Sequence, residues 1–281
     1  MSIMKKLREY LNRPLSFVMF LLIIISTVIT ALTVVFIIGY IFIKGVPNLS
    51  LDLFSLKYSS SNQSMLPSII NTVYLTALTL LLSVPIGIFS AIYLAEYSRK
   101  NSFFVKIINI ANETLSGIPS IVYGLFGFLA FVISKKWGYS LLAGVITLAI
   151  MVLPLIIRTS QEAMLGVDNT FREASYGLGA GKLRTVFKLV LPSAMPGILS
   201  GIILAIGRIV GETAALIYTA GTVPEAATKL TSSSRTISVH LYCLLNEGLY
   251  TEQAYATAVV LIVFVVIINA LSNALAKKIM K

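Results

Sequence analysis

A chain of 281 residues, 57% hydrophobic and only 12% charged, with mean hydropathy +0.91, is not a soluble globular domain, where about 25% of residues are charged. Its net charge of +11 would suggest nucleic acid in a soluble protein, but the Lys and Arg residues flank apolar runs. They read instead as orientation signals and contacts with anionic lipid, and no nucleic-acid partner is expected. One Cys (Cys243) and one His (His240) exclude an intrachain disulfide and argue against a multi-ligand metal site.

Residues 1–16 are basic and precede an apolar run over 17–43. That run exceeds the roughly 7–15 residues of a signal peptide and lacks a small-x-small cleavage site, so it reads as a retained first span after a cytoplasmic N-terminal segment. Crossing the roughly 30 Å hydrocarbon layer takes about 20 apolar residues. On that measure further spans are expected at 67–95, 107–133, 139–157, 193–220 and 254–275, giving an all-α, polytopic transmembrane helix bundle. The last five spans form one unit over 66–276, followed by a tail at 277–281. The outer loops 44–66 and 222–253 are rich in Ser, Thr and Asn and too short for a soluble domain. Six crossings put both termini on one side, which carries fifteen of the 22 Lys and Arg, against six on the other, with Arg208 inside a span. By the positive-inside rule the fifteen are cytoplasmic in a multi-pass plasma-membrane protein.

The cytoplasmic loop 158–192 contains the least apolar stretch, FREASYGLGAGKLRTVFKLVLP at 171–192. A short helix is expected from Asp168 to Tyr176, a sharp turn at Gly177, Gly179 and Gly181, and a second helix from Lys182 to Leu191, with Pro192 and Pro196 at the entry to span five. On shape alone this is either a helix-turn-helix across the cytoplasmic mouth or a solvated loop with capped ends. It is not a phosphate-binding P-loop, because Tyr176 stands where the first Gly belongs and Leu183 follows Lys182. No nucleophile and base combination accompanies the single His, so the chain is expected not to be an enzyme, and any ATP and Mg would sit on another subunit.

Glu173-Ala174-Ser175, three residues, Gly179, nine residues and Leu189-Val190-Leu191-Pro192 resembles the signature Glu-Ala-Ala-x3-Gly-x9-Ile-x-Leu-Pro of ABC importer permeases. Ser175 replaces the second Ala and Leu189 the Ile. The resemblance implies an ABC importer permease fold and a coupling helix that docks on a cytoplasmic ATP-binding subunit, with Glu173, Ala174, Ser175, Gly179, Leu189, Leu191 and Pro192 as its coupling residues. Further blocks resemble the phosphate-specific permeases of the PstA type: NTVYLT at 71–76, PIG at 85–87, AIYLAEY at 91–97, GIPSIVYGLFG at 117–127 and GRIVGET at 207–213. The paralogous PstC type shares similar blocks, while short outer loops and compact length favour PstA.

Within the 117–127 block, Gly117, Pro119 and Gly124 are expected to kink span three near its middle, either as a discontinuity lining a substrate path or as small-residue packing. Arg208 and Glu212 stand four residues apart, on one face of a helical span five. A membrane-buried Arg costs at least about 2.5 kcal/mol, so it should face a cavity or a partner. The pair either ties helices together or lines an anion path, where a guanidinium matches phosphate oxygens and Glu212 limits how tightly the ion is held. Glu113 reads as reaching cytoplasmic water or pairing with Arg158, Trp137 as an interfacial anchor, and His240 and Cys243 as outer-loop packing.

The resemblance implies a permease subunit for inorganic phosphate, working with a second permease of PstC type, a dimer of PstB-type ATP-binding subunits and an external PstS-type phosphate-binding protein. No cofactor is expected on this chain. Rival readings are an importer of sulfate, molybdate or another oxyanion, an ion channel or secondary transporter, and a membrane scaffold.

Overall fold

The computed structural model describes residues 14–98 and 102–279, and among them every regular element is helical. The basic residues Lys5, Lys6, Arg8, Arg13, Arg99, Lys100 and Lys281 lie outside the described residues. Helix α1 (Pro14–Gly45) is apolar all round, and the hydroxyls of Thr27, Thr30 and Thr33 each donate to the carbonyl four residues back at 2.8 Å. Those bonds satisfy hydroxyls that a lipid-facing helix cannot leave bare. Helix α1 packs mainly on α11 (Thr251–Ile279) and leaves most of its apolar side chains exposed.

The body is built from α2 (Leu66–Ile92), α5 (Leu141–Leu165) and α8 (Leu191–Gly211). Small residues let these axes approach closely: a Cβ on Gly87 of α2 would meet Ile156 of α5 at 2.6 Å, and one on Gly197 of α8 would meet Ala163 of α5 at 2.6 Å. Without a hydrophobic driving force between helices in lipid, such contact is what makes them adhere. Leu148, Val152 and Ile156 of α5 are fully buried at the centre.

Span three differs from a kinked helix. Helix α3 (Phe103–Gly117) and helix α4 (Ser120–Gly127), extended by a π-helical stretch over Phe128–Ser134, meet at an angle of 100°. Extended backbone at Ile118 and Pro119 makes the corner, because Pro119 has no amide proton to continue the ladder. Tyr123 covers the break by donating from its hydroxyl to the Leu115 carbonyl at 2.8 Å. Span five also ends early: α8 stops at Gly211, Glu212 is extended, and a short helix α9 (Ala214–Thr219) follows. Five helices are long and apolar enough to cross a membrane, and the bent pair makes six crossings if it counts as one.

Between α5 and α8 lie α6 (Asn169–Gly177) and α7 (Lys182–Thr185), the latter continuing through a π-helical turn, Val186–Val190, into α8. The expected second helix of the loop is therefore the start of span five rather than a separate element. Further along the chain, α10 (Ile237–Glu247) is capped by Thr236, whose hydroxyl accepts from the Val239 amide, and ends at Gly248 with φ +69°.

Candidate functional site

The loop expected to dock a partner is a helical hairpin. Asp168 caps α6 by accepting from the Thr170 amide at 2.9 Å, a bond that holds its carboxyl below the usual value. Of the three turn glycines only Gly179 needs its lack of a side chain, with φ +81°, and a Cβ there would meet no atom of this chain. No residue of α6 is buried, so its surface is open to a partner, with Glu173 and Ala174 on it. Ser175 and Thr185 share a hydroxyl bond at 2.8 Å that closes the hairpin. Leu189 and Leu191 pack inward beside Val190 and Val186, and Pro192 stands in the first turn of α8.

Two contacts missing from the sequence reading hold this hairpin to the bundle. Arg172 donates to Glu96 at 2.7 Å and to the carbonyls of Val167 and Met164 at 2.7 and 2.8 Å. Lys182 places its ammonium 4.9 Å from the centre of the Tyr97 ring. No spacing rule connects residues as far apart as Glu96 and Arg172 or Tyr97 and Lys182, so neither contact was visible in the sequence.

The expected pairing of Arg208 with Glu212 does not form. The helix ends between them, and the buried Glu212 carboxylate instead accepts from the Ala215 amide at 3.1 Å, capping α9, while its carbonyl accepts from Ser238 at 2.7 Å. Arg208, half-buried in the last turn of α8, has no carboxylate within ion-pairing distance among the described residues. Gly207 and Gly211 flank it and Gly117 ends α3, each opening on free space. The helices that follow the two chain breaks, α4 and α9, pack on each other, and Arg208 stands in the last turn before the second break. Gly124 is not part of the corner: its Cα packs against the Ala215 backbone, which joins α4 to α9. Pro119 is, as the N-cap of α4.

Glu113 does not pair with Arg158, which binds Glu162 at 2.9 Å; all three line a polar cavity of about 180 Å³ with Asn109, Asn112 and Gln161. Trp137 is partly exposed and stacks on Phe131 with centroids 5.6 Å apart.

The segment between α9 and α10 is tied to the start of α2. Buried Asn71 donates to the carbonyls of Glu225 and Arg235 at 3.0 and 3.1 Å and accepts from the Ala227 amide at 2.8 Å, and Thr72 accepts from the Ile237 amide at 3.0 Å. His240 is fully buried, and desolvation together with the Arg235 charge lowers its pKa to about 3. Burial pushes the Cys243 thiol up. Arg235 is 4% exposed and lies 4.8 Å over the Tyr58 ring.

Residues 83–281 match the model of the binding-protein-dependent transport system inner membrane component family. The phosphate transport system permease protein PstA of Haemophilus influenzae is 35% identical over 77% of this chain and 77% of its own length. The chain belongs to this family, and within it to the PstA-type permeases. The PstA of Yersinia pestis is 33% identical over 84% of this permease and 81% of its own length, and the probable ABC transporter permease protein YqgI of Bacillus subtilis 32% identical over 82% and 84%. In fold, the permease superimposes on a bacterial ABC transporter involved in the import of the acidic polysaccharide alginate with TM-score 0.67, at 17% identity, over 99% of the permease and 100% of that chain. A methionine ABC transporter in an inward-facing conformation gives TM-score 0.58, also at 17% identity, over 76% and 94%. The permease is a multi-pass membrane subunit.

Proposed function

We propose that this permease moves inorganic phosphate into the cytoplasm, driven by ATP hydrolysis on a separate subunit. The observation that carries the reading is the exposed hairpin of α6 and α7, bearing Glu173, Ala174, Ser175 and Gly179, on a chain whose relatives are phosphate permeases. A channel or secondary carrier has no use for such a surface. The partners are a second, PstC-type permease, a PstB-type ATP-binding dimer that holds ATP and Mg, and an external PstS-type protein that delivers the ion. Both termini face the cytoplasm, in keeping with the charge asymmetry of the loops.

ATP binding draws the ATP-binding subunits together, the hairpin follows as a rigid body, and the helices reopen outward. Arg208 supplies the cationic contact on the path. A guanidinium with no carboxylate within ion-pairing distance among the described residues offers planar donors to an oxyanion, and the free space at Gly117, Gly207 and Gly211 leaves room in this part of the bundle. Glu212 acts at one remove, fixing the turn that follows Arg208. Uptake of labelled phosphate into vesicles holding all the subunits tests the reading. ATP-dependent uptake with little competition from sulfate is expected; uptake without ATP would sink the importer assignment, and preference for sulfate the substrate assignment.

A further inference from the structure

The π-helical turn Tyr93–Tyr97 at the end of α2 holds both arms of the docking hairpin. Glu96 takes Arg172 of α6 in an ion pair whose side chains are 6% and 12% exposed, with the Arg172 Nε also donating to the same carboxylate oxygen at 3.1 Å. Tyr97 takes Lys182 of α7. One guanidinium therefore joins α6 to α2 through Glu96 and to the end of α5 through the carbonyls of Met164 and Val167. Because α6 buries no apolar side chain, with Phe171 and Tyr176 exposed, this polar anchor replaces the apolar packing that would ordinarily fix a helix to its bundle. Behind it, Ala91 and Ile92 of α2 share a buried cluster with Met164, Val186 and Val190. The close contact of Gly87 with Ile156 then joins α2 to α5 further up.

We propose that this turn receives the coupling motion, with Glu96 and Arg172 as positioning residues that transmit displacement of α6 into α2 and α5. The proposal rests on the docking role given to the hairpin. A charge-assisted bond with several donors resists displacement in every direction, whereas an open loop would let α6 move while the spans stayed still. The π turn closes α2, with Ser98 extended just beyond it, so Glu96 and Tyr97 are presented at the end of the helix.

The complete transporter is reconstituted with Glu96→Gln, Arg172→Lys, or the exchanged pair Glu96→Arg with Arg172→Glu, and three quantities are read: retained ATP-binding subunit, ATP hydrolysed and phosphate taken up. With Glu96→Gln the ATP-binding subunit is expected to be retained and hydrolysis to stay within about 2-fold, while phosphate moved per ATP falls at least 10-fold. Arg172→Lys keeps the charge but loses the planar fork, and should fall between the two. The exchanged pair restores the ion pair but sets a carboxylate against the carbonyls of Met164 and Val167, so its ratio should stay below that of Arg172→Lys, and a ratio at or above it overturns the part given to those carbonyls. An unchanged ratio in Glu96→Gln, or uptake and hydrolysis falling in proportion, overturns the proposal. Should the exchanged pair not assemble, Arg172→Lys decides: a ratio equal to wild type refutes transmission through the fork. Failure of the docking reading itself has a different signature, full uptake and full retention of the ATP-binding subunit in Gly179→Asp.

Discussion

Gly124 and Gly117 belong to the same sequence block, yet the structure predicts opposite responses to one added methyl group. A Cβ on Gly124 would stand 2.8 Å from the Ala215 Cα and 3.2 Å from the Ala214 carbonyl oxygen. These are backbone atoms of α9, so no rotamer change relieves the clash, and α4 must draw back by roughly 0.7 Å to restore a normal carbon contact of about 3.5 Å. Overpacking of this kind costs about 1–3 kcal/mol, offset by about 0.5–1 kcal/mol from replacing a helical Gly. At Gly117 no atom lies within 4 Å and φ is not positive, so Gly117→Ala should gain about 0.4–1 kcal/mol by restricting the unfolded chain. The two variants should therefore differ by about 2 kcal/mol, the midpoint of those ranges. Thermal melting of the isolated chain in detergent micelles is the assay, because it leaves out any second permease that would fill the space beside Gly117. Gly124→Ala melting at or above wild type, or Gly117→Ala losing as much as Gly124→Ala, would refute the assignment of one to a packing contact and the other to open space.

His240 has a folded pKa of about 3 against an ordinary 6.5, so the unfolded chain takes up the proton first and stability, full above about pH 6.5, is lost as pH falls toward 3. At pH 5 that loss is about 2 kcal/mol from this residue, and the acid limb of the melting curve should flatten in His240→Gln. Arg208→Gln should leave the melting temperature near that of wild type and the ATP-binding subunit in place while uptake falls at least 10-fold, a loss that adding Glu212→Gln does not reverse because the two side chains are not paired; restored uptake in the double variant would remove Arg208 from the path. Gly179→Asn, which tolerates positive φ, should keep more uptake than Gly179→Asp, where a carboxylate is thrust into the docking surface; equal uptake by both would mean that this surface is not occupied by a partner.

The spans were legible because length and apolarity suffice to find a membrane helix, and the docking segment because Gly179 lies at a fixed distance from Glu173 and from Leu189. The breaks were harder. Pro119 announced one, but the 100° angle is bridged by the Tyr123 hydroxyl on the Leu115 carbonyl, and α4 is held to α9 through Gly124, neither of which a local pattern records. At Glu212 the apolar run continues through Leu216 and Ile217, and helical periodicity carried the reading across the end of α8, so Arg208 and Glu212 were placed on one face. The sequence signal for the stop was there in Gly211 followed by a possible cap at Thr213. Glu96, Arg172, Asn71 and His240 owe their environments to residues far away in the chain, and spacing arguments do not reach that far.

The π turn at Val186–Val190 has a consequence for what insertions and deletions this chain tolerates. An α-helix that admits one more residue without breaking turns everything beyond it by roughly 100° about the axis. Here the turn lies between the hairpin and α8, so the direction in which α6 faces the cytoplasm is stored as a residue count. Losing one residue between Gly179 and Leu189 would leave a more regular helix and a docking surface aimed at the wrong place. The interval of nine residues is thus a setting of angle, and substitutions within it should be far better tolerated than a change in its length.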